Sequence, residues 1–268
     1  MKRTHAALLI LFVLIAIPSS AIAQVPLGTA QNFGVLGGST VTNTGPTVVT
    51  GQLGVSPGSA VTGFPPGTVV GGSIHSNDAV AQQAQNDLTT AYNAAAGLPC
   101  GTDLTGQNLG SMVLTPGVYC FATSAGLTGG LTLNMQGNPN ALFVFQIGST
   151  LTTASGSTVL LINNAGACPT NVFWQVGSSA TLGTGSSLQG DILALSSITV
   201  TTGATTSGRT LARNGAVTLD TNTVNACVLA PPGGGGPAGG PTLDWVGLTA
   251  LTILLAVAGL FVMKRLSI

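Results

Sequence analysis

The chain offers few groups for covalent chemistry. Its histidines are His5 and His75. His5 falls in an N-terminal export segment, so a Ser-His-Asp arrangement would have to use His75 with Asp78, and that pair also reads as polar residues at a strand-to-helix corner. The carboxylates Asp87, Asp103, Asp191 and Asp220 are scattered. Glycosidases and lyases built on β-coils need clustered carboxylates, or Ca²⁺ with a base. Neither a P-loop nor a dinucleotide fingerprint is present. The residues point away from an enzyme, with no catalytic residue, cofactor or metal site expected. Four cysteines, Cys100, Cys120, Cys168 and Cys227, lie far apart without a C-x-x-C or a neighbouring histidine, which favours disulfides in an exported chain over metal ligation. Three pairings are open, with free buried thiols as the alternative. The excursion after a helix favours Cys100 with Cys120, and then Cys168 with Cys227.

The hydroxyl residues carry the stronger pattern. The stretch from Thr184-Gly185-Ser186-Ser187 to Ala194 aligns without a gap on that from Thr202-Gly203-Ala204-Thr205 to Ala212, an offset of about 18 residues. Thr44-Gly45-Pro46-Thr47 has the same form, and Ser155-Gly156-Ser157-Thr158 and Thr221-Asn222-Thr223-Val224 match it in part. A period of this length belongs to stacked β-coils, where equivalent residues form columns. Asp191 and Arg209 occupy equivalent places on adjacent coils and are expected to form a surface ion pair worth at most about 1 kcal/mol.

Composition agrees with a folded body of uncharged surface. Of 268 residues 4% are charged, 44% are hydrophobic and 39 are Gly, and there is no Glu. A disordered chain would show the opposite balance. Without a basic patch, no nucleic-acid partner is expected.

Both ends read as targeting segments. Lys2 and Arg3, the apolar run Ala6 to Ile17 and the A-x-A pattern at Ala21-Ile22-Ala23 define a signal peptide over 1–23. The body spans 24–230, and 231–240 is a Pro/Gly linker. The segment 241–268 contains an apolar run from Val246 to Met263, followed by Lys264 and Arg265, long enough to cross a bilayer with the body outside. Its opening, Pro241-Thr242-Leu243-Asp244-Trp245-Val246-Gly247, resembles the C-terminal sorting signals of Gram-negative bacteria that begin Ile-Pro-Thr-Leu. Gly240 stands where those signals have Ile. The resemblance implies a membrane anchor, with a sorting protease that removes it; a permanent anchor is the plain alternative.

Within the body, Ala81, Ala84, Leu88, Ala91, Tyr92 and Ala95 form an apolar stripe at helical spacing, started by Ser76-Asn77-Asp78 and ended by Gly97 and Pro99. The stripe is expected to lie against a sheet wall. Elsewhere short strands alternate with Gly, Asn and Ser breaks. Leu142 to Ile147 is apolar enough to be covered on both faces, whereas Ile198-Thr199-Val200-Thr201 has one buried and one wet face. An ordinary β-sandwich is the alternative arrangement.

The segments Leu27 to Leu36, Thr50 to Gly58, Leu114-Thr115-Pro116-Gly117-Val118-Tyr119, Phe143 to Ile147 and Gly208 to Asp220, with the Ala-rich helix, resemble the DUF3494 ice-binding protein family over nearly the whole body. The resemblance implies a mainly β fold: a discontinuous right-handed β-solenoid of triangular cross-section with one long α-helix packed alongside. It also implies an exported protein, surface-anchored or secreted after processing, whose partner is the ice crystal surface. Family members active on ice carry T-A/G-x-T/N rungs. The residues expected to contact ice are therefore Thr44, Thr47, Ser155, Thr158, Thr184, Ser187, Thr202, Thr205, Thr221 and Thr223. The alternative function is a structural or adhesive surface module without ice activity.

Overall fold

A computed structural model describes residues 25–163 and 171–227. The signal peptide, Cys168, the linker and the C-terminal segment lie outside these residues. Three parallel sheets of nine, seven and eight strands enclose one apolar interior. Each coil contributes one strand to each sheet in turn, as Phe33–Gly37, Thr40–Thr44 and Val48–Thr50 do in the first coil. This is the expected solenoid and excludes the sandwich.

Alternation builds the walls. In the second sheet Ile198, Val200, Val217 and Leu219 point inward and are buried, while Thr199 and Thr218 between them face out. The first sheet is covered on both sides. Its inner column stacks Tyr119, Phe145 and Trp174 on adjacent strands, with the Phe145 and Trp174 ring centroids 4.0 Å apart. Trp174 Nε1 donates to Gln189 O at 2.9 Å, so this large side chain is buried without an orphaned donor.

The outer side of the first sheet receives the helix Ala79–Ala96, whose buried residues are the six of the apolar stripe. Asp78 caps its start, Oδ1 accepting from Ala81 N at 2.9 Å. His75 Nδ1 lies 2.7 Å from the other oxygen of that carboxylate, and its ring packs against Phe33. The pair thus organises the strand-to-helix corner. At the far end, Gln146 Nε2 donates to Ala95 O and Leu98 O, satisfying carbonyls that a helix end leaves free. Cys100 and Cys120 form a disulfide just beyond. Cys227 is also disulfide-bonded.

The helix explains why the solenoid is discontinuous. The N-terminal coils lead outward to Ile74–Ser76, the helix carries the chain back along the wall, and the remaining coils return until Thr210–Ala212 pairs with Phe33–Gly37. The first coil therefore stacks on the last one across a noncovalent seam.

The Asp191–Arg209 pair differs from expectation. It is buried, not superficial: Asp191 is 0% exposed and Arg209 7%. Arg209 Nη1 donates to both carboxylate oxygens at 3.1 Å, its backbone N donates to Asp191 Oδ1 at 2.9 Å, and Nε donates to Gln31 O at 2.8 Å. Equivalent positions in sequence brought the two together. The N-terminal segment at Gln31, joined to the guanidinium, accounts for their depth.

Candidate binding face

The second sheet presents a regular outer surface. Its strands run in the order Ala125–Leu127, Leu151–Thr153, Ala180–Leu182, Ile198–Val200, Val217–Asp220, Thr40–Thr44 and Ala60–Thr62. Register pairs Gly126 with Thr152, then Thr152 with Thr181, Thr181 with Thr199, Thr199 with Thr218, Thr218 with Thr42 and Thr42 with Thr62. Six threonines on six adjacent strands thus form one outward column. Thr181, Thr199 and Thr218 each stand between two buried apolar neighbours, such as Ala180 and Leu182 around Thr181, so none of these three can turn inward without exposing core.

Three of these strands add a flanking hydroxyl. Thr150, Ser179 and Ser197 precede their column threonines by two residues, which places them on the same face. These hydroxyls brace the coil corners: Thr150 Oγ1 donates to Ser124 Oγ at 2.8 Å, and Ser197 Oγ accepts from Ala216 N at 3.2 Å. No lysine, arginine, aspartate or glutamate stands in the column. The nearest carboxylate, Asp220, follows Thr218 by two residues at the end of its strand, pairs with Thr44 and accepts from Thr202 Oγ1 and Thr221 Oγ1.

The ten hydroxyl residues named from the sequence do not share one face. Thr158, Ser187, Thr205 and Thr223 do align in a column, but on the third sheet, where Val48 and Gly130 continue that column. Thr44, Ser155, Thr184, Thr202 and Thr221 are exposed along the corner between the second and third sheets. The glycine after four of them has positive φ: +79° at Gly45, +67° at Gly156, +65° at Gly185 and +70° at Gly203. The T-G-x-T rung is thus largely a turn signature. Thr47 must be removed from the exposed set: it is 0% exposed, tucked inside the corner with Oγ1 accepting from Asn222 N at 3.0 Å.

Sequence reasoning missed the column Thr42, Thr62, Thr152, Thr181, Thr199 and Thr218. The available signal was a single threonine between inward residues, legible in Ile198-Thr199-Val200 and repeated in Val217-Thr218-Leu219 and Ala180-Thr181-Leu182.

Chemically the column offers weak, repeated, neutral contacts. Each threonine supplies a hydroxyl that donates and accepts, and a methyl that water can only surround. Its β-branched χ1 is stiff, so little rotamer entropy is lost when it is held in place. Among the described residues no group of three or more His, Cys, Asp or Glu is arranged to hold a metal ion.

The family model described as Ice-binding-like matches residues 35–225. An ice-binding protein of Nostoc sp. (strain HG1) is 64% identical over 207 residues, covering 76% of each chain. Among solved structures, an ice binding protein from an Antarctic biological consortium superposes with a TM-score of 0.70 at 50% identity, covering 77% of this chain and 94% of its own. The ice-binding protein of the Antarctic ascomycete Antarctomyces psychrotrophicus gives a TM-score of 0.71 at 44% identity, covering 75% and 97%.

Proposed function

The chain belongs to the Ice-binding-like family, and on that footing we propose that it binds ice through the threonine column of its second sheet. The observation that carries this reading is the unbroken register of Thr152, Thr181, Thr199, Thr218, Thr42 and Thr62. Adjacent strands lie about 4.8 Å apart and same-face residues along a parallel strand about 6.6 Å apart, so the column and its flanking hydroxyls stand at fixed repeats. An ordered water layer held on hydroxyls and shaped around methyls at that repeat can merge with a crystal surface. Single contacts are weak, and six in register act together. A charged side chain would order water in its own geometry, and the column carries none. The names of the relatives support ice as the partner over a purely structural or adhesive module, and the family points away from catalysis. In an ice-uptake and thermal-hysteresis assay the mature protein partitions into growing ice; unmodified ice growth would refute the reading.

The third-sheet column of Thr158, Ser187, Thr205 and Thr223, with the corner residues Thr44, Ser155, Thr184, Thr202 and Thr221, is the second candidate surface. It is ranked below the first because Val48 breaks its run of hydroxyls between Thr223 and Thr68, and Ser187 lacks the methyl of a threonine.

Export through the segment 1–23, a body over 24–230, a linker over 231–240 and membrane anchoring or sorting through 241–268 complete the proposal, supported by the A-x-A pattern and the apolar run. Among the described residues no helix is long and apolar enough to cross a membrane. Gly208 N donates to Asn225 O and Ala226 N to Thr50 O, so residues 225–227 lie at the corner between the third and first sheets. Fractionation of cells carrying the intact chain tests the export, with the protein expected outside the cytoplasm.

A further inference from the structure

The threonine column is assembled from two separate stretches of chain. Thr152, Thr181, Thr199 and Thr218 stand on successive returning coils, whereas Thr42 and Thr62 belong to the N-terminal coils. Between Thr218 and Thr42 no coil-to-coil connection sets the register. A slip of one residue there would turn the N-terminal threonines to the other face. Something at the seam must select the pairing.

The inner positions of the corner between the second and third sheets show what does. Stacked there are Ser157, Ser186, Ala204, Asn222 and Thr47, each one residue before a member of the third-sheet column and each buried. The covalently consecutive coils use Ser or Ala. At the seam stand the two bulkier residues, Asn222 on one side and Thr47 on the other. Asn222 Nδ2 donates to Thr201 O at 2.8 Å and Ala204 O at 3.0 Å in the coil before it, and its Oδ1 accepts from Asp220 N at 2.6 Å. These bonds fix its corner. Across the seam, Asn222 N donates to Thr47 Oγ1 at 3.0 Å, and Asn222 O accepts from Val48 N at 2.9 Å. A shift of one residue would set Pro46 or Val48 opposite Asn222, neither of which has a hydroxyl to accept its N–H.

We propose that Asn222 and Thr47 are positioning residues for the binding face: they key the N-terminal coils to the last coil so that six threonines stand in one column rather than in columns of four and two. The proposal rests on the reading of that column as the ice-contact surface.

The test uses the mature chain with Thr47→Val, Thr47→Ser and Asn222→Ala, beside Thr199→Lys on the face and Leu133→Ala in the core far from the seam. Thermal hysteresis and amide hydrogen exchange are measured on each. Thr47→Val and Asn222→Ala are expected to lower thermal hysteresis by at least about twofold, as a site loosened in its supporting shell does. They also speed exchange at Val48 and Thr221, two of the amides that bridge the seam, which donate to Asn222 O and Thr44 O. Thr47→Ser restores both readouts. Leu133→Ala loses stability and keeps its hysteresis, which separates positioning from a general loss of stability. If Asn222→Ala fails to fold, the Thr47→Val and Thr47→Ser pair decides. Unchanged seam exchange and unchanged hysteresis in Thr47→Val, with Thr199→Lys impaired, overturns the positioning role alone. A wild type without effect on ice, or a Thr199→Lys variant equal to it, overturns the face reading and the positioning role with it.

Discussion

Thr218 and Thr42 are 176 residues apart in sequence and stand side by side in one column, their Oγ1 atoms 3.4 Å apart. The proposed binding face is therefore complete only when the first coil has docked on the last. Folding and site assembly are the same event in this chain, since the contacts that close the seam also join the two parts of the array.

The buried Asp191–Arg209 pair should govern stability near that seam. Removing one partner leaves a charge without compensation in the interior, which costs about 3–5 kcal/mol. Asp191→Ala is expected to lower the thermal unfolding midpoint strongly, more than any single exposed threonine replacement. Thermal melts followed by circular dichroism check this. Burial pushes the Asp191 carboxyl above its usual value of 3.8, and the Arg209 guanidinium, bonded to both of its oxygens, offsets part of that rise.

Acid should loosen the attachment of the helix before it melts the coils. Asp87 accepts from Thr29 Oγ1 and Thr29 N, and these bonds, with one from Gln83, hold its carboxyl below the usual value of 3.8 despite partial burial. Asp78 is lowered by the Ala81 amide and His75. A carboxylate lowered in the folded state adds stability that is present above its unfolded value and lost as pH falls through the folded one. The stability that Asp78 and Asp87 supply should thus stay level above about pH 5 and decline below about pH 4. Thr29→Ala is expected to flatten part of that decline; urea melts at stepped pH would reveal an unchanged slope if the Asp87 contacts do not matter.

Reduction of Cys100–Cys120 should weaken the molecule without abolishing it. The bridge closes a loop with a sequence separation of 20, next to an interior that is already continuous. A loop of that size is worth about 3 kcal/mol in the chain-entropy account. A Cys100→Ala/Cys120→Ala variant, which leaves the Cys227 bridge intact, is expected to keep its β-type circular dichroism at low temperature and to melt earlier, and reduction of the wild type, which opens both bridges, to lower the melt further without unfolding the coils. Complete unfolding by a mild reductant would contradict this.

Much of the fold was legible because its signals are local. The six buried positions of the helix follow from 3.6-residue spacing, and Asp78 as its cap follows from residue type. The coil period appeared in the alignment of Thr184 to Ala194 on Thr202 to Ala212, whose strands do pair in register. The face was less legible. Glycines at Gly185 and Gly203 make the corners conspicuous, so the eye of the sequence falls on the turn and not on the flat wall. Thr42, Thr62 and Thr152 lie at uneven separations, and only three-dimensional stacking puts them beside Thr181, Thr199 and Thr218. The depth of Asp191 and the burial of Thr47 depend on segments distant in sequence, Gln31 and Asn222, which no periodicity announces.

Replacing threonine by a bulky residue at the middle of the column tests the central claim most directly. Thr181→Tyr and Thr199→Tyr each project from a flat wall whose inward neighbours stay in place, and Asn86→Tyr on the exposed face of the helix serves as the matched control. With all three variants folded, thermal hysteresis at equal protein concentration should fall at least about tenfold for the two column variants, because one protruding ring holds the whole array off a flat surface. The helix variant should match wild type. Column variants that retain full hysteresis while the protein itself is active on ice would show that the contact surface lies elsewhere.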